Sequence, residues 1–456
     1  MIFPCVEEIL LKEEDLNLWV EDENGGKHWK QVEVKVEDHM IAPRFPDGLS
    51  LESYDVYIGD YLSGLGMDPF PKAKPLWEIH VIKYPTSKSS GSLIFKLHHA
   101  LGDGYTIMGV MLSCLQRADN PSIPLTFPSF RKPPKPDNGM KSILSLVPQV
   151  LSGVVNTVLD FGMSILQSSL LEDSSTPIRS AEEGVEFLPT VVTTMTFSLD
   201  QIKQIKDILE VTINDIVSGV IFLGTRLYME ATSNESGNAR STSLVLLNTR
   251  SIGGYRSVDE MLHNPEAQNL WGNQFAFLQV SLPKLRQAHN SLDPLKFVYE
   301  AHNIIKRKRN SSAVYLTGML LESIRKYRGT EAAAKYVHLT QKNASMGLTN
   351  LAGPIEKMSL CNQPIKGLYF MIFNVPQVSS FPNTNQSALY AYSIIDPMPI
   401  LVDATFWQSY KVTVMSYMNQ LRVTLGTQKG FIDPMKLKRC IEEAYDMILK
   451  AALNSK

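Results

Sequence analysis

The chain has 456 residues, 44% of them hydrophobic, which suits two domains of about 200 residues that each bury a substantial core. Its formal net charge of −2 gives no general attraction to nucleic acid, so we expect no nucleic-acid partner. The four cysteines have no CxxC spacing and the N-terminus has no signal segment, which argues against a disulfide framework, a zinc site and secretion.

The first predicted element is a β-hairpin near the N-terminus, in which Asn24-Gly25-Gly26 forms the turn and alternating patches such as Gln31–Val36 form a solvent-facing sheet edge. A helix is predicted over residues 50–65. Next, Pro75-Leu76-Trp77-Glu78 introduces a strand that continues to Ile82. We interpret Trp77 either as a substrate contact or as a core aromatic that shapes the fold.

The most informative stretch is a strand, a turn and a helix. Leu93–His99 has β character, Gly102-Asp103-Gly104 forms the turn, and Tyr105–Leu115 has apolar residues at helical spacing. Alternation along a strand points His98 and His99 to opposite faces, and no third ligand follows at a familiar spacing, which argues against a metal site. A purely structural histidine is the other alternative, but the adjacent acid and glycines favour a functional loop.

A basic, proline-rich segment over residues 120–138 is predicted to be an extended linker at the end of the first domain. Residues 143–171 then contain a single charged residue, Asp160. Such a segment could span a membrane, form a buried linker helix, or lie in a membrane surface, and its scattered polar residues favour the last. We predict an N-terminal domain over 1–138, an apolar crossover or membrane-associated linker over 139–185, and a C-terminal domain over 186–456.

The second half is predicted to begin with a strand over Thr190–Phe197 and a helix capped by Ser198 with Gln201. Thr212-Ile213-Asn214-Asp215 then begins a longer apolar helix that reaches about Met229. Asn214 and Asp215 either satisfy free backbone amides at this helix start or form a functional pair. At the end of the chain, Asp433-Pro434 is predicted to cap a last helix.

Two polar motifs adjoin predicted strands of this half. Ser243–Leu247 ends in Asn248-Thr249-Arg250, and Trp271-Gly272-Asn273-Gln274 precedes the alternating run Phe275–Leu282. Asn273 has two interpretations. It could donate a hydrogen bond to a developing oxyanion, or it could stabilise its own turn.

Residues 98–104 have the form HHxxxDG, which resembles the motif of the coenzyme A-dependent acyltransferase superfamily, including chloramphenicol acetyltransferase, plant alcohol acyltransferases and peptide-synthetase condensation domains. The doubled histidine together with Pro75-Leu76-Trp77-Glu78 is similar to the plant-type wax ester synthase/diacylglycerol acyltransferase family. Segments 214–215, 248–250, 271–274 and 349–354 also resemble motifs of that family. The chain departs from it in a short start and in residues 376–403, which look like an insertion.

The resemblance implies an α/β fold of two similar chloramphenicol-acetyltransferase-like domains, with mixed sheets and a tunnel along their interface. It implies that His99 is the general base, that His98 is auxiliary, that Asp103 holds the loop and that Gly104 allows close packing. An alcohol does not ionise unaided near neutral pH, so a histidine is suited to take its proton. Asn273 is a candidate oxyanion donor, and the candidate substrate-binding residues are Pro75, Leu76, Trp77, Asn214 and Asp215.

The expected reaction esterifies a long-chain fatty alcohol to a wax ester, or diacylglycerol to triacylglycerol, with acyl-CoA as co-substrate and with no cofactor, metal or covalent intermediate. Lys306-Arg307-Lys308-Arg309 is interpreted as a solvated helix end or as a contact for coenzyme A phosphates. We expect the chain at the cytosolic face of the endoplasmic reticulum membrane, with the plasma membrane as a second location. Basic residues before the apolar segment favour an anionic leaflet; they are Arg131, Lys132, Lys135 and Lys141.

Two other functions stay open. Another alcohol acyltransferase of the same superfamily would be expected to have a DFGWG-like motif late in the chain, which is absent. An inactive lipid-binding homologue would fit the short start and the altered region at 376–403. No G-x-S-x-G nucleophile motif is present.

Overall fold

The computed structural model describes residues 17–21, 27–31, 34–71, 74–123, 125, 157–182, 184–185, 188–250, 270–285, 292–360, 362–373 and 408–455. The predicted turn at 24–26, most of the proline-rich linker, the first part of the apolar segment and the region 376–403 lie outside these ranges. The limits of the three predicted domains stay predictions.

The described residues of the first half form a hairpin, a small sheet and two α-helices. In chain order the elements are β1 (Asn17–Glu21), β2 (Lys27–Gln31), β3 (Met40–Ile41), α1 (Leu51–Leu65), β4 (Trp77–Ile82), β5 (Ser92–Leu97), α2 (Gly104–Ser113) and β6 (Gln116–Arg117). The antiparallel pairing of β1 with β2 confirms the predicted hairpin. Among the described residues of the patch at Gln31–Val36, only Gln31 lies in a strand, and Val36 is buried in a short 3-10 helix over Val36–His39. Strands β3, β4 and β5 form a three-stranded sheet in that order.

The second half is built on a six-stranded mixed sheet. Its strands, in spatial order, are β7 (Thr190–Ser198), β14 (Gln420–Gln428), β13 (Tyr410–Tyr417), β10 (Met346–Leu351), β8 (Thr242–Asn248) and β9 (Phe275–Ser281). Strands β8, β10 and β13 run parallel to one another, and the other neighbours are antiparallel. The carboxyl ends of β8 and β10 and the start of β9 therefore lie at the same edge of the sheet.

Helices cover this sheet. They are α3 (residues 157–169), α4 (Leu199–Leu209), α5 (Ile213–Thr232), α6 (Pro294–Asn310), α7 (Ala313–Arg328), α8 (Thr330–Lys342) and α9 (Pro434–Asn454). Helix α5 is apolar nearly all round because it is buried among the sheet, α6 and α9. Glycines allow the close approach: a Cβ at Gly219 would lie 2.9 Å from Val298 Cα, and one at Gly224 would lie 2.6 Å from Ile441 Cα. The predicted caps are present, with Ser198 before α4 and Asp433 before α9.

The two halves of the chain share both a sheet and a core. After β10 the chain forms β11 (Met358–Leu360) and β12 (Gln363–Pro364), and β11 pairs antiparallel with β6 of the first half. Helix α2 buries Met108 and Leu112 in one cluster with Met415 and Tyr417 of β13. The loop that precedes α2 is therefore held against the edge where β8 and β10 end.

In the described part of the chain, no individual helix has the length and apolar character needed to cross a bilayer, whereas α4 and α5, bent by 101° at their junction, meet these criteria as a pair.

The central strand β13 contains a fully buried lysine, Lys411. Burial lowers the pKa of its ammonium from the usual value near 10.5 to about 7. Between these two values the unfolded chain binds more protons here than the folded chain, so the free energy of unfolding rises with pH.

We therefore expect Lys411→Met to flatten this rise and to stabilise the protein at pH 7 by an amount on the order of 2–4 kcal/mol. The measurement is urea unfolding at several pH values between 7 and 9. The exposed residue Lys203 supplies the control, because Lys203→Met should leave the slope unchanged. An unchanged slope in Lys411→Met would contradict the assignment.

Candidate active site

The HHxxxDG loop turns two residues earlier than predicted. Strand β5 ends at Leu97, and the His98 N–H donates to the Leu76 carbonyl at 3.0 Å, which continues the strand pairing by one step. His99 then begins a 3-10 turn over His99–Leu101, so the predicted strand to His99 is too long. The chain can turn here because Gly102 adopts a φ of +151° that other residues rarely take.

The two imidazoles face different aromatic partners. The His98 ring lies 5.8 Å from the ring of Phe70, over which Lys96 Nζ also sits at 4.6 Å. The His99 ring lies 5.8 Å edge-on from the ring of Phe275, the first residue of β9. Both histidines are partly exposed. The pair is thus divided, with His98 toward the first half and His99 toward the second.

Asp103 is fully occupied in holding the loop. Its carboxylate accepts from Arg250 Nη1 at 2.6 Å and Nη2 at 3.0 Å, and from the Gln274 N–H at 2.9 Å. It also caps α2 by accepting from the Thr106 N–H at 3.2 Å. The carboxylate is 7% exposed and the Arg250 side chain is fully buried. Asp103 therefore ties the loop to the second half.

Arg250 is the residue that sequence reasoning left without a role. It follows the end of β8, donates to the Leu270 carbonyl at 2.8 Å and the Gly272 carbonyl at 2.6 Å, and stacks its guanidinium 4.6 Å from the centre of the Tyr105 ring. Its motif, Asn248-Thr249-Arg250, was recognised, but nothing local in the sequence pairs it with an aspartate 147 positions away. Such bidentate arginine–carboxylate pairs are geometrically specific as well as strong.

Asn273 contacts the loop at the catalytic candidate itself. Its Nδ2 donates to the His99 carbonyl oxygen at 2.9 Å, and the preceding Gly272 has a φ of +90°. The Asn273 amide thus fixes the backbone of His99, whereas a residue that only stabilised its own turn would bond to neighbours in the sequence. Because an amide nitrogen carries two hydrogens, one remains for a further acceptor.

We expect Asn273→Asp to lower kcat by about 10- to 100-fold with little change in KM, because the carboxylate keeps the shape but loses the donor that holds His99. Steady-state kinetics with both substrates varied would measure this split. Asn273→Ser, which retains a shorter donor, should fall between the two proteins. A change confined to KM would show that Asn273 acts on substrate binding instead.

Gly104 permits close packing at the start of α2. A Cβ at this position would lie 2.8 Å from Leu351 Cδ1, at the end of β10. The small-residue loop that begins at Thr349 is thereby brought against the HHxxxDG loop. Motifs that are far apart in the sequence meet at one edge of the six-stranded sheet.

The segment Pro75-Leu76-Trp77 leads into β4 and pairs with the start of the HHxxxDG loop. Trp77 is 3% exposed and stacks on His39 with ring centroids 4.1 Å apart, while its carbonyl accepts from His39 Nδ1 at 2.7 Å. Leu76 reaches the loop through its carbonyl, which accepts from the His98 N–H. This geometry matches the interpretation of Trp77 as a core aromatic that shapes the fold.

Asn214 and Asp215 make different contacts at the start of α5. Asp215 forms a capping box with Thr212 at the start of α5 and also accepts from His302 Nδ1 at 2.8 Å. Asn214 is exposed and its Oδ1 accepts from Asn350 Nδ2, next to Leu351. Asp215 is therefore a helix-capping residue, whereas Asn214 lies beside the edge of the sheet that carries the site.

A two-domain α/β fold with mixed sheets and an HHxxxDG loop clamped between the halves defines the chloramphenicol-acetyltransferase-like class. Residues 58–217 match the model of the wax ester synthase/diacylglycerol acyltransferase catalytic domain, and residues 271–382 and 393–449 match that of the WS/DGAT C-terminal domain. The chain belongs to the wax ester synthase/diacylglycerol acyltransferase family and is an acyltransferase of that family. The family and the fold class expected from the sequence are thus confirmed.

Individual relatives agree. Wax ester synthase/diacylglycerol acyltransferase 4 of Arabidopsis thaliana is 30% identical over 411 residues, which are 85% of this chain and 76% of that protein. Number 9 of the same series is 29% identical over 406 residues, covering 84% and 81% of the two chains. The solved structure of the wax ester synthase/diacylglycerol acyltransferase from Marinobacter aquaeolei VT8 superposes with a TM-score of 0.54 at 14% identity, covering 100% of this chain and 90% of that one.

Proposed function

We propose that this acyltransferase moves the acyl group of a long-chain acyl-CoA to the hydroxyl of a long-chain fatty alcohol, giving a wax ester, and to diacylglycerol, giving triacylglycerol. The observation that supports this most directly is the setting of His99. Its imidazole is partly exposed and faces the second half, on a loop held by three side-chain hydrogen bonds: two from Arg250 to the Asp103 carboxylate and one from Asn273 to the His99 carbonyl.

In the proposed reaction His99 takes the proton of the alcohol as its oxygen attacks the thioester carbonyl. A histidine suits this step because its ordinary pKa lies near neutral pH. The new C–O bond forms, the C–S bond breaks, and the proton passes from His99 to the leaving thiolate of coenzyme A. The step needs no metal, cofactor or covalent enzyme intermediate, since the thioester is already activated.

The other residues position the base. Asp103 cannot relay the proton in this scheme, because Arg250 and backbone amides already occupy its carboxylate. We assign the second hydrogen of the Asn273 amide to the oxyanion that develops on the thioester carbonyl. An oriented donor of this kind typically contributes about 10²-fold or more to kcat.

We also propose that the chain works at the cytosolic face of the endoplasmic reticulum membrane, and at the plasma membrane as a second location. Long-chain alcohols and diacylglycerol partition into bilayers because each buried CH₂ group contributes about 0.8 kcal/mol. An enzyme that takes such substrates gains access to them only where they are dissolved.

The deciding experiment is an assay of the purified full chain with palmitoyl-CoA and either hexadecanol or diacylglycerol, with product identified by mass spectrometry. We expect hexadecyl palmitate or triacylglycerol to form together with an equal amount of free coenzyme A. Transfer only to short, water-soluble alcohols would indicate another alcohol acyltransferase of the superfamily. Lipid binding without any transfer would indicate an inactive homologue.

A further inference from the structure

We propose that α3, the end of α6 and the first turns of α7 form one surface that docks on an anionic phospholipid bilayer, and we call it the docking face. It comprises residues 157–170 and 306–319. The inference rests on the proposed function, because substrates that dissolve in a bilayer require the enzyme to bind there. The contacts that define the docking face do not involve the acyl-transfer site.

One side of α3 is fixed to the second half of the chain. Its only charged residue, Asp160, is buried and accepts from Arg307 Nη2 at 3.0 Å at the end of α6. Farther along, Gln279 of β9 donates to the Ser168 hydroxyl at 3.1 Å. Asn343, after α8, donates to the Gln167 carbonyl at 3.0 Å. The helix is thus seated by polar contacts along its length.

A second side of α3 presents apolar side chains to solvent. Leu159, Met163, Leu166 and Leu170 recur with the spacing of one helical face, and Val158 adjoins them. Exposed fractions are 65% for Val158, 60% for Leu159, 42% for Met163, 41% for Leu166 and 75% for Leu170. A helix that packs on a protein core buries its apolar side and exposes its polar side. Helix α3 instead makes polar contacts with the protein and exposes a row of apolar side chains, which is typical of an interaction surface.

Helix α7 extends this apolar surface. It begins beside the first described residue of α3, because the Ser312 N–H donates to Thr157 Oγ1 at 3.2 Å. Tyr315 and Met319 lie one helical turn apart on α7, and each is 64% exposed. Tyrosine is suited to the boundary of a membrane because it combines an apolar ring with a polar hydroxyl.

The charges beside these residues identify the partner. Lys306, Arg307 and Arg309 are exposed at the end of α6, and the one acid of α3 is buried against Arg307 and Lys308. The docking face therefore combines exposed apolar groups with an edge where Lys306–Arg309 supplies four cations and α3 a single acid, which is complementary to anionic lipid head groups. A second copy of the chain is a poorer partner, since a symmetric contact would set the same cations against each other.

The test is co-sedimentation of the purified full chain with vesicles of phosphatidylcholine, with and without phosphatidylserine. We expect stronger binding to the vesicles with phosphatidylserine. Leu159→Asp/Met163→Asp should lower the partition coefficient by roughly 100-fold, about tenfold for each buried side chain lost. Val56→Asp/Ile355→Asp is the control, because these two residues are at least as exposed, at 64% and 66%, but lie outside the docking face.

A second pair of variants tests the charge. Lys306→Gln/Arg309→Gln should lower binding to the vesicles with phosphatidylserine by roughly 30-fold and leave binding to pure phosphatidylcholine unchanged. Lys203→Gln/Lys206→Gln supplies the control, because these side chains are 50% and 42% exposed and belong to α4, outside the docking face. Circular dichroism should be the same for all four double variants.

Binding that is equal in Leu159→Asp/Met163→Asp and its control would overturn the proposal. So would a change in oligomeric state, by size-exclusion chromatography, without a change in vesicle binding, which would assign the face to a second copy of the chain. Transfer from palmitoyl-CoA to a short alcohol without vesicles should be unaffected in Leu159→Asp/Met163→Asp. Failure of the docking proposal is therefore distinguishable from failure of the proposed acyl transfer.

Discussion

His99→Ala is expected to lower kcat/KM for acyl transfer by about 10³- to 10⁴-fold while the protein stays folded. The imidazole is partly exposed and its described ring contact is the edge-on approach to Phe275, so its removal leaves the clamp on Asp103 in place. The measurement is the rate of coenzyme A release with palmitoyl-CoA and hexadecanol, with the urea midpoint measured on the same preparation.

The neighbouring histidine provides a matched control for this substitution. His98 has the same chemistry one residue away, but its ring lies against Phe70 in the first half. We expect His98→Ala to lower kcat/KM by less than about tenfold. Equal losses in the two variants would show that the pair acts through the shape of the loop. Retention of activity in purified His99→Ala would remove His99 as the base.

Elements with a strong local signal could be predicted from the sequence. The apolar spacing after Gly104 predicted α2, and the capping residues before Ile213 and Pro434 predicted where α5 and α9 begin. These predictions succeed because side-chain caps and a 3.6-residue period act within a few residues. The glycines of the HHxxxDG sequence likewise predicted a tight turn after β5, although the turn begins at His99, earlier than expected.

Features that depend on partners far along the chain could not be predicted in the same way. The strand β5 ends at Leu97 because the following residues turn toward the second half, and no local pattern marks that point. The pairing of β6 with β11 joins residues on opposite sides of the long linker. A two-residue strand such as β6 has too few residues to show any alternation.

Residues with two interpretations were resolved by their contacts. Trp77 proved to be buried on His39, and Asp215 proved to cap its helix. Asn273, in contrast, reaches the His99 carbonyl across 174 positions of sequence. Residue type alone was compatible with both roles in each case; the contacts of Trp77 and Asn273 are with residues far along the chain, whereas Asp215 caps its helix together with the nearby Thr212.

Asp103→Ala is expected to lower the free energy of unfolding by about 3–5 kcal/mol, because it leaves the guanidinium of Arg250 buried without its charge partner. Arg250 has a fully buried side chain, so little solvent can compensate for the lost carboxylate. The backbone N–H groups of Thr106 and Gln274 also lose their acceptor. Urea denaturation followed by circular dichroism measures the change.

The exposed pair of Arg117 and Asp119 gives a matched control. Its Nη2–Oδ2 distance of 2.7 Å is similar to that of the Asp103 pair, but the Asp119 side chain is 62% exposed. Asp119→Ala should therefore leave the urea midpoint nearly unchanged, because solvent screens the pair and hydrates the arginine that remains. A large loss in this control would mean that distance, and not burial, sets the cost.

The double variant Asp103→Ala/Arg250→Met separates stability from catalysis. Removing both charges should restore a large part of the lost unfolding free energy, since the methionine side chain can pack where the stem of the arginine lay. Activity should stay low, because the loop that bears His99 would no longer be tied by a bidentate pair to the second half. Recovery of both properties together would show that the ion pair serves stability alone, whereas recovery of stability without activity is the result expected if it positions the base.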